Sequence, residues 1–402
     1  MSLERPVLIV GAGPVGLCLA TALVRMGVPV RVFEALPELS SELKGGAYHP
    51  PTLEMFAEWE VVERVLDGAV KVEKIQYWER EGRNLVAEFN YDIISDYTPF
   101  PYRVHLPQHL LTRILAGLVE ESPLAELHMD HEVVDFVDHG DHVEAVCRTP
   151  DGQRKYKGCY LCGADGPHSI VRQLLGVPFE GVTYTDRFMV LNTNLDLAAI
   201  FPDCAPVSYI FDPTQWVIAV KLPGITRIAF RAREDEPDAL LASEPEARAR
   251  LAAFLGVEPE YRMIRQAVYS VHQRVAARFR VGRALLLGDA AHICNPAGGM
   301  GLNAGIHDAH HLSQSLRKVL SGGTEDLLEV YARKRRRYVL DKVQVRSGRN
   351  YRALSSETAK QCESRNQILR ARVADPELAL QHLLEVSMLD GRDRRPLVAE
   401  TV

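Results

Sequence analysis

With 402 residues, 47% hydrophobic and 25% charged, the chain can bury a large core and divide into two or three domains. A net charge of -6 argues against a nucleic-acid surface, so the basic run Arg333 to Arg337 reads as a solvated helix face. Seven scattered cysteines fit a reducing, cytoplasmic setting with no metal, and the lone C-x-x-C at Cys159 and Cys162 reads as buried structure.

Val7 to Val10 is a short, wholly apolar run that suits a central parallel strand. The opening lacks the basic start and cleavage site of a signal peptide, and no run of 18 uninterrupted apolar residues follows, so no membrane association is expected. Gly11-Ala12-Gly13-Pro14-Val15-Gly16 then leads into a helical stretch to Met26, and Val30 to Phe33 forms a second strand ending at Glu34 with Ala35 beside it. This is a dinucleotide fingerprint in its proper context. Gly11 gives a tight turn, Gly13 backbone access for a pyrophosphate, Gly16 close helix packing, and Glu34 an acid for ribose hydroxyls. Because Glu34 would repel a 2′-phosphate, FAD or NAD is expected rather than NADP.

Further on, Lys44 is a candidate phosphate partner, while His49 either faces a substrate or is simply solvated. Gln108, at the start of an amphipathic helix, either offers its amide to a cofactor or merely opens the helix. Segment 76–97 reads as strands turning at Gly82, and 125–157 as β-rich with a hairpin at Asp151-Gly152. A strand then ends in Ala164-Asp165-Gly166-Pro167-His168-Ser169 before a helix, on which Arg172 can anchor Asp165 or a cofactor phosphate.

From Phe179 to Arg233 alternating strands predict an inserted antiparallel sheet. Its aromatics, Tyr184, Tyr209, Phe211 and Trp216, fit either an apolar pocket or plain sheet core. Residues 234–255 read as helix, and a strand returns over 269–275. The stretch from Gly282 to Asn303 organises the rest: the apolar strand Ala284 to Leu287 runs into Gly288-Asp289, and glycines at 298, 299 and 301 precede a helix. Those glycines let the backbone approach a flat ligand and aim N–H groups at it, and the helix start favours negative charge. Asp289, at a strand's carboxyl end, can accept from a polyol hydroxyl.

Three motifs in this order, G-A-G-P-V-G at Gly11, A-D-G-P-H-S at Ala164 and G-D-A-A-H at Gly288, resemble the FAD-dependent aromatic hydroxylases of the para-hydroxybenzoate hydroxylase type. The resemblance covers residues 6–342. It implies an α/β fold with a discontinuous Rossmann-like FAD domain (1–178 and 268–342), an inserted β-sheet substrate domain (179–267) and C-terminal helices (343–402). It also implies that Gly11, Gly13, Pro14, Val15, Gly16, Glu34, Ala35 and Lys44 bind the ADP half of FAD. Lys44 stands where the family usually has arginine, keeping the charge without the fork. Gln108 and Asp289 match ribityl contacts, Asp165 and Gly166 the middle motif, and Gly298, Gly299, Gly301, Leu302 and Asn303 the loop facing the isoalloxazine.

The implied chemistry uses NADH or NADPH and O2 to hydroxylate a small phenolic or N-heteroaromatic substrate through a C4a-hydroperoxyflavin. Pro296, Gly298 and Gly299 would lie beside the reacting position. His49, Tyr209 and His272 are candidates for the base that removes a phenolic proton, while His292 is expected to be structural. An epoxidase or reductase acting on a non-aromatic substrate is the alternative, and a homodimer is the candidate assembly. A halogenase is disfavoured because none of Trp59, Trp78 or Trp216 sits in a W-x-W-x-I-P stretch.

Overall fold

The computed structural model describes residues 5–213, 215–354 and 358–390. Its first layer is a six-stranded sheet in the order Arg280–Val281, Ala284–Leu286, Tyr160–Gly163, Val7–Val10, Val30–Phe33 and Ala125–His128. All neighbours are parallel except the first pair. The central strands are continuous apolar runs because both faces are covered. The helix Pro14–Arg25 packs on one side with Gln108–Glu120 and Met300–Leu320, and the antiparallel sheet of Glu132–Asp138, Val143–Thr149 and Gly152–Gly158 lies on the other.

A second sheet has eight strands, ordered His292–Ile293, Met263–Ala276, Phe179–Thr193, Ile225–Ala232, Val217–Leu222, Val207–Phe211, Lys74–Glu79 and Asn84–Asn90. It is wider than the expected 179–267 segment. Lys74–Glu79 joins parallel to Val207–Phe211, which a reading of local hairpins could not anticipate. Strand alternation separates two cores. Met189, Leu191, Ile210, Val217, Ile228 and Phe230 face the helix Glu244–Leu255, whereas Phe188, Val190, Val207, Phe211 and Val271 pack with Ala297 and with Leu369, Leu383 and Leu389 of the C-terminal segments.

The two sheets are joined where the site lies. After Ala284–Leu286 the chain turns through Gly288–Ala290, and His292–Ile293 then pairs with Arg274 and Val275 of the second sheet. Loop 294–299 is therefore held between them. Helices Asp326–Tyr338, Val345–Leu354, Ala359–Ala374 and Pro376–Val386 complete the described chain, and the rest of the expected C-terminal segment, 391–402, lies outside the described residues. One expectation needs correcting: Arg335, inside the supposedly solvated basic run, is 6% exposed and bonds to Asp308 at 2.6 Å.

Candidate active site

Strands Val7–Val10, Tyr160–Gly163 and Ala284–Leu286 are adjacent and parallel, so their three glycine turns emerge side by side at the carboxyl ends. The Gly11 amide donates to the Phe33 carbonyl at 2.7 Å, the Ala164 amide to Val10 at 2.8 Å and the Leu287 amide to Gly163 at 3.1 Å. Gly11 has φ +100, and a Cβ there would lie 2.6 Å from the Ala164 carbonyl oxygen. At Gly16 a Cβ would collide with the Gly11 carbonyl. At Gly13 it would meet nothing within 4 Å. Pro14 opens the helix where no N–H is needed, and no side chain caps it, so its first amides face outward over Gly13. Val15 packs against Gly288 and Gly305, locking the first and third turns together.

Around these turns stand the expected side chains. Glu34 accepts from the Ala12 amide at 2.8 Å and the Leu36 amide at 3.1 Å, with Ala35 exposed beside it. Asp165 accepts from the Val171 amide at 3.1 Å, but its Oδ1 is buried without a hydrogen-bond partner; burial raises its pKa. Gly166, at φ +79, continues that turn. Arg172 donates to the Pro167 and Ala290 carbonyls, both at 2.8 Å, bracing the middle turn against the third rather than hydrogen-bonding Asp165. Asp289 is exposed beside the third turn. Desolvation raises its pKa against the pull of His292 and Lys44. Lys44 itself is exposed and pairs with Glu42 at 3.2 Å. Gln108 donates to the Gly45 carbonyl at 2.7 Å, so it steadies the Lys44–Gly45 loop.

The loop leading into Met300–Leu320 is built from within. Asn295, fully buried, accepts from the Ala297 amide and donates to the Ser347 carbonyl. Exposed Pro296 accepts from the Gly299 amide at 3.0 Å, and Gly298 and Gly299 take φ +105 and +66. The helix thus begins at Met300, leaving the amides of Met300, Gly301 and Leu302 without helical acceptors. The side chain of Asn303 is fully engaged within the protein. It donates to Ala47 and Gly299 carbonyls at 2.7 Å and accepts from the His49 amide and the Thr52 hydroxyl, leaving only backbone for a ligand.

His49 is brought to this loop, its Nε2 3.1 Å from the Gly298 carbonyl, but it is wholly buried rather than solvated. Burial, then the charge of Arg103, holds its pKa well below the usual histidine value. His292 is structural as expected: it bonds to Asp308 at 2.7 Å, and Asp308 also accepts from the Gly288 amide and from Arg335. His272 is not brought near. Val271 faces the core shared with Ala297, so His272 points to the opposite side of the strand, where it meets Thr183 at 2.9 Å.

Tyr209 does face the loop side of the second sheet, stacked on Tyr77 with centroids 5.2 Å apart. Phe211 and Trp216 are buried core in the same cluster, and Tyr184 donates to Gln273. Sequence reasoning missed Tyr77, Arg103, His105 and His382 in this wall. Alternation in the short strand Arg103–His105 was the available signal, since it sets both side chains on one face. His105 bonds to the Lys221 carbonyl at 2.9 Å, joining this strand to the larger sheet.

The arrangement fits a flavin dinucleotide: open space over Gly13 beneath uncapped amides, an exposed carboxylate at Asp289, and donor amides beyond Gly299. Residues 4–345 match the FAD binding domain family. Para-nitrophenol 4-monooxygenase of Pseudomonas sp. (strain WBC-3) is 30% identical over 390 residues, 96% of each chain. The chain belongs to the FAD-dependent aromatic hydroxylase family. Another relative of this flavoenzyme, 6-hydroxy-3-succinoylpyridine 3-monooxygenase of Pseudomonas putida (strain DSM 28022 / S16), is 29% identical across 88% of this chain and 90% of that one. The crystal structure of p-nitrophenol 4-monooxygenase from Pseudomonas putida DLL-E4 superposes with a TM-score of 0.89 at 28% identity, covering 97% of this chain and 99% of that one. FAD is the cofactor of this monooxygenase, and the non-aromatic alternative is not favoured. Among the described residues no helix is long and apolar enough to cross a membrane, and no cluster of metal-ligating side chains occurs.

Proposed function

We propose that the protein hydroxylates a small phenolic or N-heteroaromatic ring, with NADH or NADPH as reductant and O2 as oxidant. One observation carries this reading. The three motif turns stand side by side, and the loop that follows the third is pressed against a wall bearing Tyr77 and Tyr209.

In this reading Gly11, Gly13, Pro14, Val15, Gly16, Glu34, Ala35 and Lys44 hold the ADP half of FAD, and Asp165, Gly166, Gln108 and Asp289 support the middle of the cofactor. When bound, FAD supplies the redox chemistry by which one oxygen atom reaches the ring. The chain supplies the surroundings. The uncapped amides of Met300, Gly301 and Leu302, at the positive end of a 21-residue helix, favour negative charge beside them. Pro296, Gly298 and Gly299 let backbone approach a flat group, Asn303 and His49 fix that backbone from behind, and the C-terminal helices exclude water from the ring-bearing wall. Tyr209 lines the wall beside Tyr77, where burial raises its pKa.

The test is direct. Purified protein should be yellow and release FAD on heating. A panel of hydroxylated benzoates, nitrophenols, pyridines and quinolines should contain rings that stimulate NAD(P)H oxidation with formation of hydroxylated product. If no ring does so in flavin-loaded protein, the reading falls.

A further inference from the structure

We propose that Arg103 anchors an acidic substituent of the substrate, so that the ring this protein takes carries a carboxylate or an ionised hydroxyl; the inference rests on the aromatic reading above. Arg103 is 3% exposed, on the strand Arg103–His105. Its Nε donates to the Tyr91 hydroxyl, and its guanidinium lies 5.4 Å from the centroid of that ring. Among the described residues no carboxylate lies within ion-pair distance of it. Nη1 and Nη2 bond to no described residue, yet neither belongs to the buried polar atoms sealed from solvent.

That is an unusual state for a buried cation. Transferring a charge out of water is costly unless a partner repays it. Other arginines buried to a similar extent obey the rule: Arg335 is matched by Asp308, Arg346 by Asp390, and Arg172 by two carbonyls. Among the described residues, the two outer nitrogens of the planar Arg103 fork find no partner. That fork matches a carboxylate or another anion with paired or single oxygens.

The fork's surroundings make its place functional. Its charge is felt at His49 beside Gly298, at His105 on its own strand, at Tyr77 and Tyr209 on the second sheet, at Tyr91, and at His382 on the helix Pro376–Val386. No acid appears among these groups. His382 also feels Arg372 and Arg349, the latter paired with Glu385 at 2.6 Å. The ring nitrogens His49 Nδ1 and His105 Nε2 are buried without hydrogen-bond partners in the same neighbourhood. Burial holds both histidines neutral, His105 with a pKa of about 3, which makes them poor bases and favours a ring that arrives already ionised. Tyr48 pairs with Val104 on the strand that carries Arg103, and the next residue, His49, contacts the Gly298 carbonyl, so backbone pairing ties this strand to the loop of Gly298.

The experiment is a binding titration of flavin-loaded protein, followed by perturbation of the flavin absorbance. Hydroxybenzoates are compared with the matching hydroxybenzamides, and 4-nitrophenol above its ionisation with 4-nitroanisole, in wild type, Arg103→Met and Arg103→Lys. Wild type should prefer each anion over its neutral twin. Arg103→Met should lose roughly 10- to 100-fold in anion affinity while binding the neutral twins as before and keeping its FAD, and Arg103→Lys should fall between. A merely structural arginine would weaken both members of each pair together. Equal binding of anions and neutrals by wild type, or an unchanged preference in Arg103→Met, overturns the inference and leaves the aromatic reading intact. If no ring of either kind perturbs the flavin in wild type, the aromatic reading itself fails and takes this inference with it.

Discussion

Gly13 and Gly16 share one turn and answer to different constraints. At Gly16 a side chain must displace the Gly11 carbonyl, whereas at Gly13, with φ -71, it enters open space. Gly16→Val should therefore destabilise the apoprotein by about 1–3 kcal/mol or more, the range for overpacking. Gly13→Val should leave the apoprotein's thermal midpoint nearly unchanged and still abolish FAD retention; the two are separated by melting curves and flavin absorbance on the same preparations. Asp289→Ala should likewise strip FAD without weakening the apoprotein. Its carboxyl pKa is raised by desolvation, so the fold gains nothing from its ionised form at neutral pH. Unchanged flavin occupancy in that variant would remove Asp289 from the cofactor site.

The helix Met300–Leu320 is pinned to the third turn through one carboxylate. Asp308 accepts from the Gly288 amide, His292 and Arg335 while fully buried. Removing it strands a buried cation, so Asp308→Ala should cost about 3–5 kcal/mol in a urea titration. Its pKa lies well below the usual aspartate range, the charges of Arg335 and His292 outweighing desolvation. The sign follows: stability from this group is complete above the unfolded value near 3.9 and drains away as pH falls below it. Asp308→Asn should lose that share of the acid slope. How legible these elements were depends on the kind of signal. The glycine turns could be read because each glycine answers to its own neighbours, Gly11 and Gly16 by close approach and Gly298 by φ +105. The burial of Arg335 was harder: helical spacing puts it on the face of Leu328, Tyr331 and Ala332, away from exposed Arg333 and Arg337, but its partner Asp308 lies 27 residues away in sequence. Lys74–Glu79 reads as a hairpin arm, and its parallel partner lies more than 130 residues further on. His272 was a fair candidate by type, and strand parity alone turned it away.

Across the whole molecule, burial keeps several histidines neutral. His49 and His307 lie well below the ordinary value, and His105 and His382 near 3. An unfolded chain takes up these protons near pH 6.5, so stability is full above that pH and falls as the solution is acidified toward 4. Chemical denaturation between pH 7.5 and about 4.5 should show a falling midpoint, and a variant with His382→Gln should show a shallower fall. A flat profile would mean that these rings are more open to water than their packing implies.

His382 belongs to the last helix, Pro376–Val386, and its ring sits 4.3 Å from Phe89, near the edge of the eight-stranded sheet. Leu383 and Leu389 close over the same face as Ala297 of loop 294–299. The compartment in which a reactive ring must be shielded is therefore finished by almost the last stretch of described polypeptide to leave the ribosome. A nascent chain that has already shaped its dinucleotide cradle still has one side unroofed, and a shortened version ending before Asp375 should consume reductant while shedding hydrogen peroxide into solution.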